Sequence, residues 1–414
     1  MKRTGKPAQQ NRFRHILLGI LVVLALSVQP DPAHVLAETS IQIEANEHTV
    51  VFGQHIRFHL QVSSTANIQS IVLAYRTTDT QGTNVQRMTF DPARTISVDY
   101  IHEIEQRYVR PFVELMYWWT IEDGDQNRLI TPSQTFVYAD NRFDWQTLAQ
   151  DSVRIHWYQG EIEVAQTALN KAVVGLDRAR QDIYVEGISK AIDIYMYANA
   201  NDLNVALPLP TQSEALTVYE TNTILTSFAP ETAHMPKIER ILPHEVTHAL
   251  LHEVTQSDLD RVPTWLAEGL ATSVEYAFVP NPDANLRLAE AIQRRETLSF
   301  SILCAGFSTD PVQANLAYAQ SASLINYIRD VYGRQALRDL VAAYADGATC
   351  DGGVQRVLNM SLERLNHDWL DTLSPRSMWA AFWIDNAAWL ILLVLLIGVP
   401  FLFALPHRTR VRQV

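Results

Sequence analysis

The sequence predicts an α+β protein in three parts: an N-terminal β-sandwich, a mainly helical second part and a single C-terminal transmembrane helix. Between residues 38 and 145, apolar and polar side chains alternate with the two-residue period of β-strands. Between residues 150 and 374, apolar side chains recur mostly at helical spacing. Residues 387–405 form a run of nineteen residues without a charge, which is long enough to span a bilayer.

The N-terminal part contains seven short candidate strands separated by turn residues. In His55–Val62, the even-numbered positions are all apolar. The other candidates are Ile41–Ala45, Ile68–Arg76, Val85–Phe90, Ile96–Tyr100, Phe112–Ile121 and Thr135–Tyr138. Seven strands in about 100 residues are typical of a β-sandwich. Because no cysteine precedes Cys304, the core disulfide of antibody domains is absent, and a fibronectin III or immunoglobulin-like sandwich is expected over residues 38–145.

The charge distribution argues against a nucleic-acid function. The chain has 45 acidic and 33 basic residues, and eight of the basic ones lie in the end segments 1–14 and 406–414. The part between these ends is therefore strongly acidic, and nucleic acid would repel it. We predict no nucleic-acid partner.

The two ends predict export and membrane attachment. A basic start followed by a short apolar run indicates a signal peptide over residues 1–37, with an uncleaved signal anchor as the alternative. A transmembrane helix at 387–405 would be followed by a basic cytoplasmic tail at 406–414. The sequence thus predicts a single-pass protein of the cell membrane, with its folded body outside the cytoplasm.

The residues with catalytic potential begin at a His-Glu-x-x-His segment. His244 and His248 are four residues apart, so on a helix their imidazoles face a common point, with Glu245 beside them. Two imidazoles and a neighbouring carboxylate are typical of a zinc hydrolase. Because Pro243 cannot donate to the preceding turn, the helix either begins near Leu242 or is interrupted there.

A second segment supplies a third metal ligand. The His-Glu-x-x-His pattern also occurs by chance on surface helices that bind no metal. In this chain, however, Glu268 lies twenty residues after His248, on a predicted apolar helix. A carboxylate among apolar neighbours is costly to bury unless it meets a cation. His252 is excluded as a ligand because it lies about 12 Å along the helix axis from His244. We therefore predict one Zn²⁺ ion bound by His244, His248 and Glu268.

These two segments resemble the gluzincin zinc metallopeptidases, and in particular the bacterial peptidase MA-like domain family. The resemblance rests on Leu-Pro-His-Glu-x-Thr-His, which begins at Leu242, and on Pro-Thr-Trp-Leu-x-Glu-Gly, which begins at Pro263. It covers roughly residues 150–374 and implies a mainly helical zincin domain of the thermolysin type. The resemblance implies zinc on the three predicted ligands, with Glu245 as the general base.

The resemblance also suggests roles for residues outside the two segments. Tyr318 stands where aminopeptidase N-like enzymes have a tyrosine that donates to the oxyanion, and ordinary helix packing is the alternative. In thermolysin-like enzymes, an acidic residue four positions after the metal-binding glutamate orients one of the histidines. Thr272 occupies that position in this chain, so the sequence does not identify the residue that orients the histidines. In zincins a strand edge binds the substrate, and Thr223–Phe228 is the candidate strand.

Cys304 and Cys350 are the only cysteines in the chain. In an exported protein, an even number of cysteines favours a disulfide, and two unpaired buried thiols are the alternative.

These observations predict a membrane-anchored, extracytoplasmic zinc peptidase whose substrate is a peptide or protein. The absence of the Gly-x-Met-Glu-Asn strand of the aminopeptidases weakly favours endopeptidase action. A non-catalytic surface protein with a structural or vestigial zinc site is the main alternative. A zinc hydrolase of non-peptide amides is another.

Overall fold

The structure is a computed structural model that describes residues 40–78, 80, 82–183, 190–207, 215–228, 235–255, 259–373, 386, 387, 389 and 392. The predicted signal peptide at 1–37 and the basic tail at 406–414 lie outside these residues. So does the predicted membrane helix at 387–405, apart from Ala387, Trp389 and Leu392.

The predictions of a C-terminal transmembrane helix and of a single-pass membrane location are wrong for this fold. Among the described residues, no helix has both the length and the apolar character needed to cross a bilayer. A crossing requires about 20 predominantly apolar residues in one helix. The longest described helices, Ile162–Asp182, Met235–Val254 and Pro311–Tyr332, mix apolar residues with polar and charged ones instead. The described fold is α+β without that third part.

The N-terminal layer consists of two antiparallel sheets packed face to face. Its strands are β1 (Ile41–Val51), β2 (His55–Ser64), β3 (Ile68–Thr77), β4 (Asn84–Arg87), β5 (Thr95–Glu103), β6 (Glu114–Asp123), β7 (Arg128–Ile130) and β8 (Gln134–Val137). One sheet has the order β1-β2-β5, and the other has the order β4-β3-β6-β7 with β8 also paired to β6. The alternation predicted for β2 is confirmed, since its even-numbered apolar residues are buried in the core shared by both sheets.

A third sheet connects this layer to the helices. Its strands are β9 (Gln146–Gln150), β10 (Val153–Trp157), β11 (Ile192–Tyr197), β12 (Ala215–Val218) and β13 (Thr223–Ser227), and the order is β12-β13-β11-β10-β9. The helix α1 (Ile162–Asp182) packs with one face of this sheet, and the N-terminal sandwich packs with the other. The domain boundary near residues 145–150 stays a prediction.

The strand predicted to offer a free backbone edge to the substrate does not have one. Thr223–Phe228 was the candidate substrate edge, but β13 pairs with β12 on one side and with β11 on the other. Its backbone therefore has no free edge. The edge strand is β12, which turns back antiparallel onto β13.

Most of the other described residues are helical. The helices are α2 (Ala200–Ala206), α3 (Met235–Val254), α4 (Thr264–Phe278), α5 (Pro282–Arg294), α6 (Phe300–Ala305), α7 (Pro311–Tyr332), α8 (Arg334–Ala345), α9 (Cys350–Leu358) and α10 (Leu362–Leu373). The start of α7 shows a sequence-encoded cap, because the Asp310 side chain accepts from the backbone N–H groups of Val312 and Gln313. The disulfide predicted between Cys304 and Cys350 is present and joins the end of α6 to the start of α9.

Two glycines allow the close helix crossings next to the predicted metal ligands. The helix α3 runs through Pro243 without ending there, and Gly175 of α1 packs against it. A Cβ at Gly175 would lie 2.7 Å from the Pro243 Cα. On the other side, a Cβ at Gly269 of α4 would lie 2.9 Å from the carbonyl oxygen of Ser321 in α7. These contacts fix the positions of α3 and α4, which carry the site.

Candidate active site

The structure brings together the three residues predicted to bind metal. His244 and His248 lie one turn apart on α3, and their Nε2 atoms are 3.1 Å apart. Glu268 reaches them from α4, and its Oε2 is 3.4 Å from each Nε2. His252 is not part of this group; its ring stacks on Tyr219 at a centroid distance of 4.8 Å.

The arrangement of these three atoms fits a tetrahedral metal ion. Zinc bonds of 2.0–2.1 Å to nitrogen and oxygen place neighbouring ligand atoms roughly 3.3 Å apart. The distances of 3.1, 3.4 and 3.4 Å are close to that separation. Two ring nitrogens and a carboxylate oxygen are also donors that zinc accepts. The group formed by His244, His248 and Glu268 can therefore hold a metal ion.

The electrostatics of the group show how strongly the two imidazoles and the carboxylates interact. Burial acts to lower the pKa of His244, but hydrogen bonds with Glu268 and Glu275 outweigh it and raise this pKa to about 10. Burial acts to raise the pKa of Glu268, yet the charges and hydrogen bonds of both imidazoles keep it well below the usual range. The anionic groups therefore stabilise positive charge at this point.

Glu275 is a functional candidate that the sequence reasoning missed. Its Oε2 accepts a hydrogen bond from His244 Nδ1 at 3.0 Å, and its Oε1 lies 3.7 Å from Arg240 Nη1. Glu275 is seven residues after Glu268, so two helical turns place both carboxylates on the same side of α4. The seven-residue spacing could therefore have identified Glu275 from the sequence. Thr272 stands where thermolysin-like enzymes have an acidic residue, and its buried hydroxyl has no hydrogen-bond partner among the described residues.

The two histidines differ in this outer support. A carboxylate on the second ring nitrogen fixes the orientation of an imidazole and increases its basicity as a ligand. His244 has this support from Glu275. The Nδ1 of His248 is buried and has no such partner among the described residues. The orientation of His244 therefore depends on Glu275.

Replacing Glu275 with glutamine is expected to weaken metal binding by about 10- to 100-fold, because His244 loses its anionic partner. A competition titration of the metal-free protein against a chromogenic chelator measures the change. The conservative control is Glu275→Asp, which keeps the charge and should recover part of the affinity. Unchanged affinity in Glu275→Gln would show that the contact is not needed for the site.

Glu245 faces the cavity beside the three-residue group. Its Oε2 accepts a hydrogen bond of 2.6 Å from the Thr217 hydroxyl, which lies on the edge strand β12. This contact joins the strand edge to α3. Thr217 could not be found from the sequence, since a four-residue strand has too little periodicity to identify a contact partner.

Tyr318 lies on α7 at the same cavity, which has a volume of about 460 Å³ and is also lined by His244, Glu245 and Glu275. The ring centroid of Tyr318 is 6.4 Å from that of His244. Burial, followed by the charges of Glu268 and the other glutamates, raises the pKa of Tyr318 above its usual value. The phenol is therefore protonated at neutral pH and can act as a hydrogen-bond donor.

Comparison with known proteins identifies the family. The model of the Peptidase MA superfamily matches residues 164–374. No curated protein matches the chain. Native yeast LTA4 hydrolase is similar at 12% identity over 85% of this chain and 71% of that chain, with a TM-score of 0.39. Its bestatin complex is similar at 11% identity over 82% of this chain and 69% of that chain, with a TM-score of 0.38.

A shorter structural similarity involves the catalytically inactive OgpA from Akkermansia muciniphila in complex with an O-glycopeptide, at 10% identity over 27% of this chain and 32% of that chain, with a TM-score of 0.20. These structural scores are too low to support an argument about chemistry. The family match, in contrast, covers half of the chain and both segments of the metal-binding group. The chain belongs to the Peptidase MA superfamily, as its resemblance to the gluzincin peptidases predicted.

Proposed function

We propose that the protein is a zinc-dependent peptidase that hydrolyses peptide bonds, with Glu245 as the general base. The observation that supports this most directly is the separation of 3.1–3.4 Å between the ligand atoms of His244, His248 and Glu268. Zinc held there would supply a Lewis acid that lowers the pKa of a water molecule and polarises the substrate carbonyl.

The contact with Thr217 suits Glu245 to proton transfer. One carboxylate oxygen accepts from the Thr217 hydroxyl, so the carboxylate has a fixed orientation and its other oxygen is available. Glu245 would accept a proton from the attacking water and pass it to the leaving amine. A protein that only binds a partner would not need an oriented carboxylate at this place, which favours catalysis over the surface-binding alternative.

Tyr318 is proposed to stabilise the negative charge that develops on the substrate carbonyl oxygen. Its raised pKa keeps the phenol protonated, and the ring faces the same cavity as Glu245. A hydrogen-bond donor aimed at developing charge strengthens in the transition state. Its alternative role is packing between α7 and the neighbouring loop, where it meets Phe307 edge-on at a centroid distance of 5.0 Å.

The edge strand β12 is the proposed binding edge for an extended peptide. Among the described residues it pairs only with β13, so its other backbone edge can accept a further strand. Thr217 in the middle of β12 touches Glu245. A peptide paired with β12 would therefore pass directly over the proposed zinc site.

Metal analysis and peptide cleavage test the proposal together. The purified chain should take up one zinc per molecule, as measured by elemental analysis, and should cleave members of an unbiased peptide library. Chelation should abolish cleavage, and added zinc should restore it. Failure to bind zinc would refute the proposed site. Zinc uptake without cleavage of any peptide would favour a structural metal or a non-peptide substrate.

A further inference from the structure

The group of three predicted ligands separates two cavities. His244 lines the first cavity, together with Glu245 and Tyr318. His248 and Glu268 line a second cavity of about 540 Å³, which shares no lining residue with the first. We call this second cavity the disulfide groove, because Cys304 and Cys350 form part of its wall. Its volume is within the range of roughly 300–1,000 Å³ that ligand pockets have.

The edge strand β12 leads from one cavity to the other. Ala215, at its start, lines the first cavity, and Tyr219, just after its end, lines the disulfide groove. Four residues of extended chain span about 13 Å at 3.3 Å per residue. A peptide paired with β12 would therefore have one end in each cavity, and its middle would lie near Thr217 and Glu245.

The direction of the strand decides which end of the peptide enters the groove. The chain of β12 runs from the first cavity towards the disulfide groove. Antiparallel pairing is the more stable arrangement for an added strand. An antiparallel peptide would have its N-terminal part in the disulfide groove and its C-terminal part in the first cavity, which Glu245 lines. This direction also places the leaving amine on the side of the general base.

We propose that the disulfide groove is a substrate subsite for the residues on the N-terminal side of the cleaved bond. This inference rests on the proposed peptidase function and makes the enzyme an endopeptidase. An enzyme that removes single N-terminal residues needs only a closed pocket there for one side chain and a free amine. The groove instead continues past His248 and Glu268 to the wall formed by the disulfide.

The disulfide has a positioning role in this subsite. The wall contains the end of α6 and the start of α9, which are helices of six and nine residues. The bond between Cys304 and Cys350 holds these two short helices together although they are 46 residues apart in the chain. A fixed wall reduces the conformational entropy that substrate binding would otherwise cost.

Paired substrates of different length test the inference on the zinc-loaded full chain. Both peptides share the best-cleaved library sequence after the scissile bond. The short one begins with a free amine at the residue before that bond, and the long one has three more residues and an acetylated N-terminus. We expect kcat/KM to be at least about tenfold higher for the long peptide, because it fills an additional pocket. Preference for the short peptide would overturn the inference.

A variant that narrows the groove tests its location. Ala305 is exposed and lines the groove, so Ala305→Trp should reduce the ratio of long-peptide to short-peptide kcat/KM by about tenfold. Ile302→Trp is the matched control, since Ile302 is exposed on the same helix and does not line the groove. A ratio unchanged by Ala305→Trp would place the subsite elsewhere. Removing the disulfide with Cys304→Ser and Cys350→Ser should lower the same ratio.

Binding without cleavage separates this inference from the proposed function. In a Glu245→Gln background, adding Ala305→Trp should weaken binding of a fluorescent acetylated long peptide by about tenfold. Equal affinities with and without Ala305→Trp would overturn the subsite even in an active enzyme. If the zinc-loaded parent cleaves no peptide, the proposed function fails; the same binding comparison is then made with the fluorescently labelled acetylated peptide library, and it still decides whether the groove holds a peptide.

Discussion

Replacing Glu245 with glutamine is expected to lower kcat for peptide cleavage by roughly 10²- to 10⁴-fold, the usual contribution of a positioned general base. Glutamine has nearly the same shape and can still accept from Thr217, but its amide cannot take a proton from water at neutral pH. Because Glu245 is not one of the three residues grouped as ligands, the bound zinc should remain at one per chain. Steady-state kinetics and elemental analysis of the same preparation measure both quantities.

Glu239→Gln is the matched control for this substitution. It removes the same charge from the same helix, at an ion pair with Lys171 that is 2.7 Å long and partly exposed. Such a pair contributes only about 0–1 kcal/mol to stability. Its kcat should stay at the parent value. Equal rates for Glu245→Gln and the parent would remove Glu245 from the mechanism, whereas loss of zinc from Glu245→Gln would show that the effect is indirect.

Replacing Glu268 with glutamine is expected to abolish tight zinc binding and cleavage together. The substitution removes the anionic ligand that lies 3.4 Å from both imidazoles, while the side-chain size is kept. The loss of affinity should exceed the roughly 10- to 100-fold that removal of an outer partner costs. A chelator competition titration measures it. Glu268→Gln should therefore bind zinc more weakly than Glu275→Gln.

The control for a general effect of lost negative charge is Glu290→Gln, an exposed glutamate on α5 away from both cavities. It should bind one zinc with parental affinity. If Glu268→Gln also keeps parental zinc affinity, the third ligand is another group, and the proposed site is wrong in that part. If it folds poorly by circular dichroism, the zinc comparison is made on the fraction that remains folded.

The parts of the site that the sequence predicted are those set by local geometry. His244 and His248 face each other because one helical turn separates them, and this relation needs no knowledge of the tertiary fold. Glu268 was predicted because a carboxylate in an apolar helical segment needs a cationic partner. Both arguments use only spacing and burial, and the structure places the three side chains together.

The missed contacts depend on how separate elements pack. The contact of Glu275 with His244 requires the relative rotation of α3 and α4, although the seven-residue spacing from Glu268 was available. The contact of Thr217 with Glu245 requires the position of β12 in the sheet. The same cause explains the wrong substrate edge: β12 precedes β13 in the chain but lies outside it in the sheet. Strand order within a sheet cannot be obtained from periodicity.

Hydropathy alone led to the wrong expectation at the C-terminus. An uncharged run of nineteen residues meets the length criterion for a membrane helix, but no helix among the described residues is long and apolar enough to cross a bilayer. The predictions of the N-terminal strands were more reliable. The alternation of apolar and polar residues in β2 indicates that one face of the strand is buried, and that face does lie in the core between the two packed sheets.

The position of β12 between two layers has a consequence for how the protein loses activity when it denatures. Thr217 points towards Glu245, and its neighbour Val218 points to the opposite face, into the core of the N-terminal sandwich together with Leu225 of β13. The position of the proposed peptide-binding edge thus depends on the packing of Val218 and Leu225 in the sandwich core, and neither residue has a proposed role in catalysis. Melting of the sandwich would release that edge, so we expect loss of the proposed activity and unfolding of the N-terminal layer to occur at the same temperature.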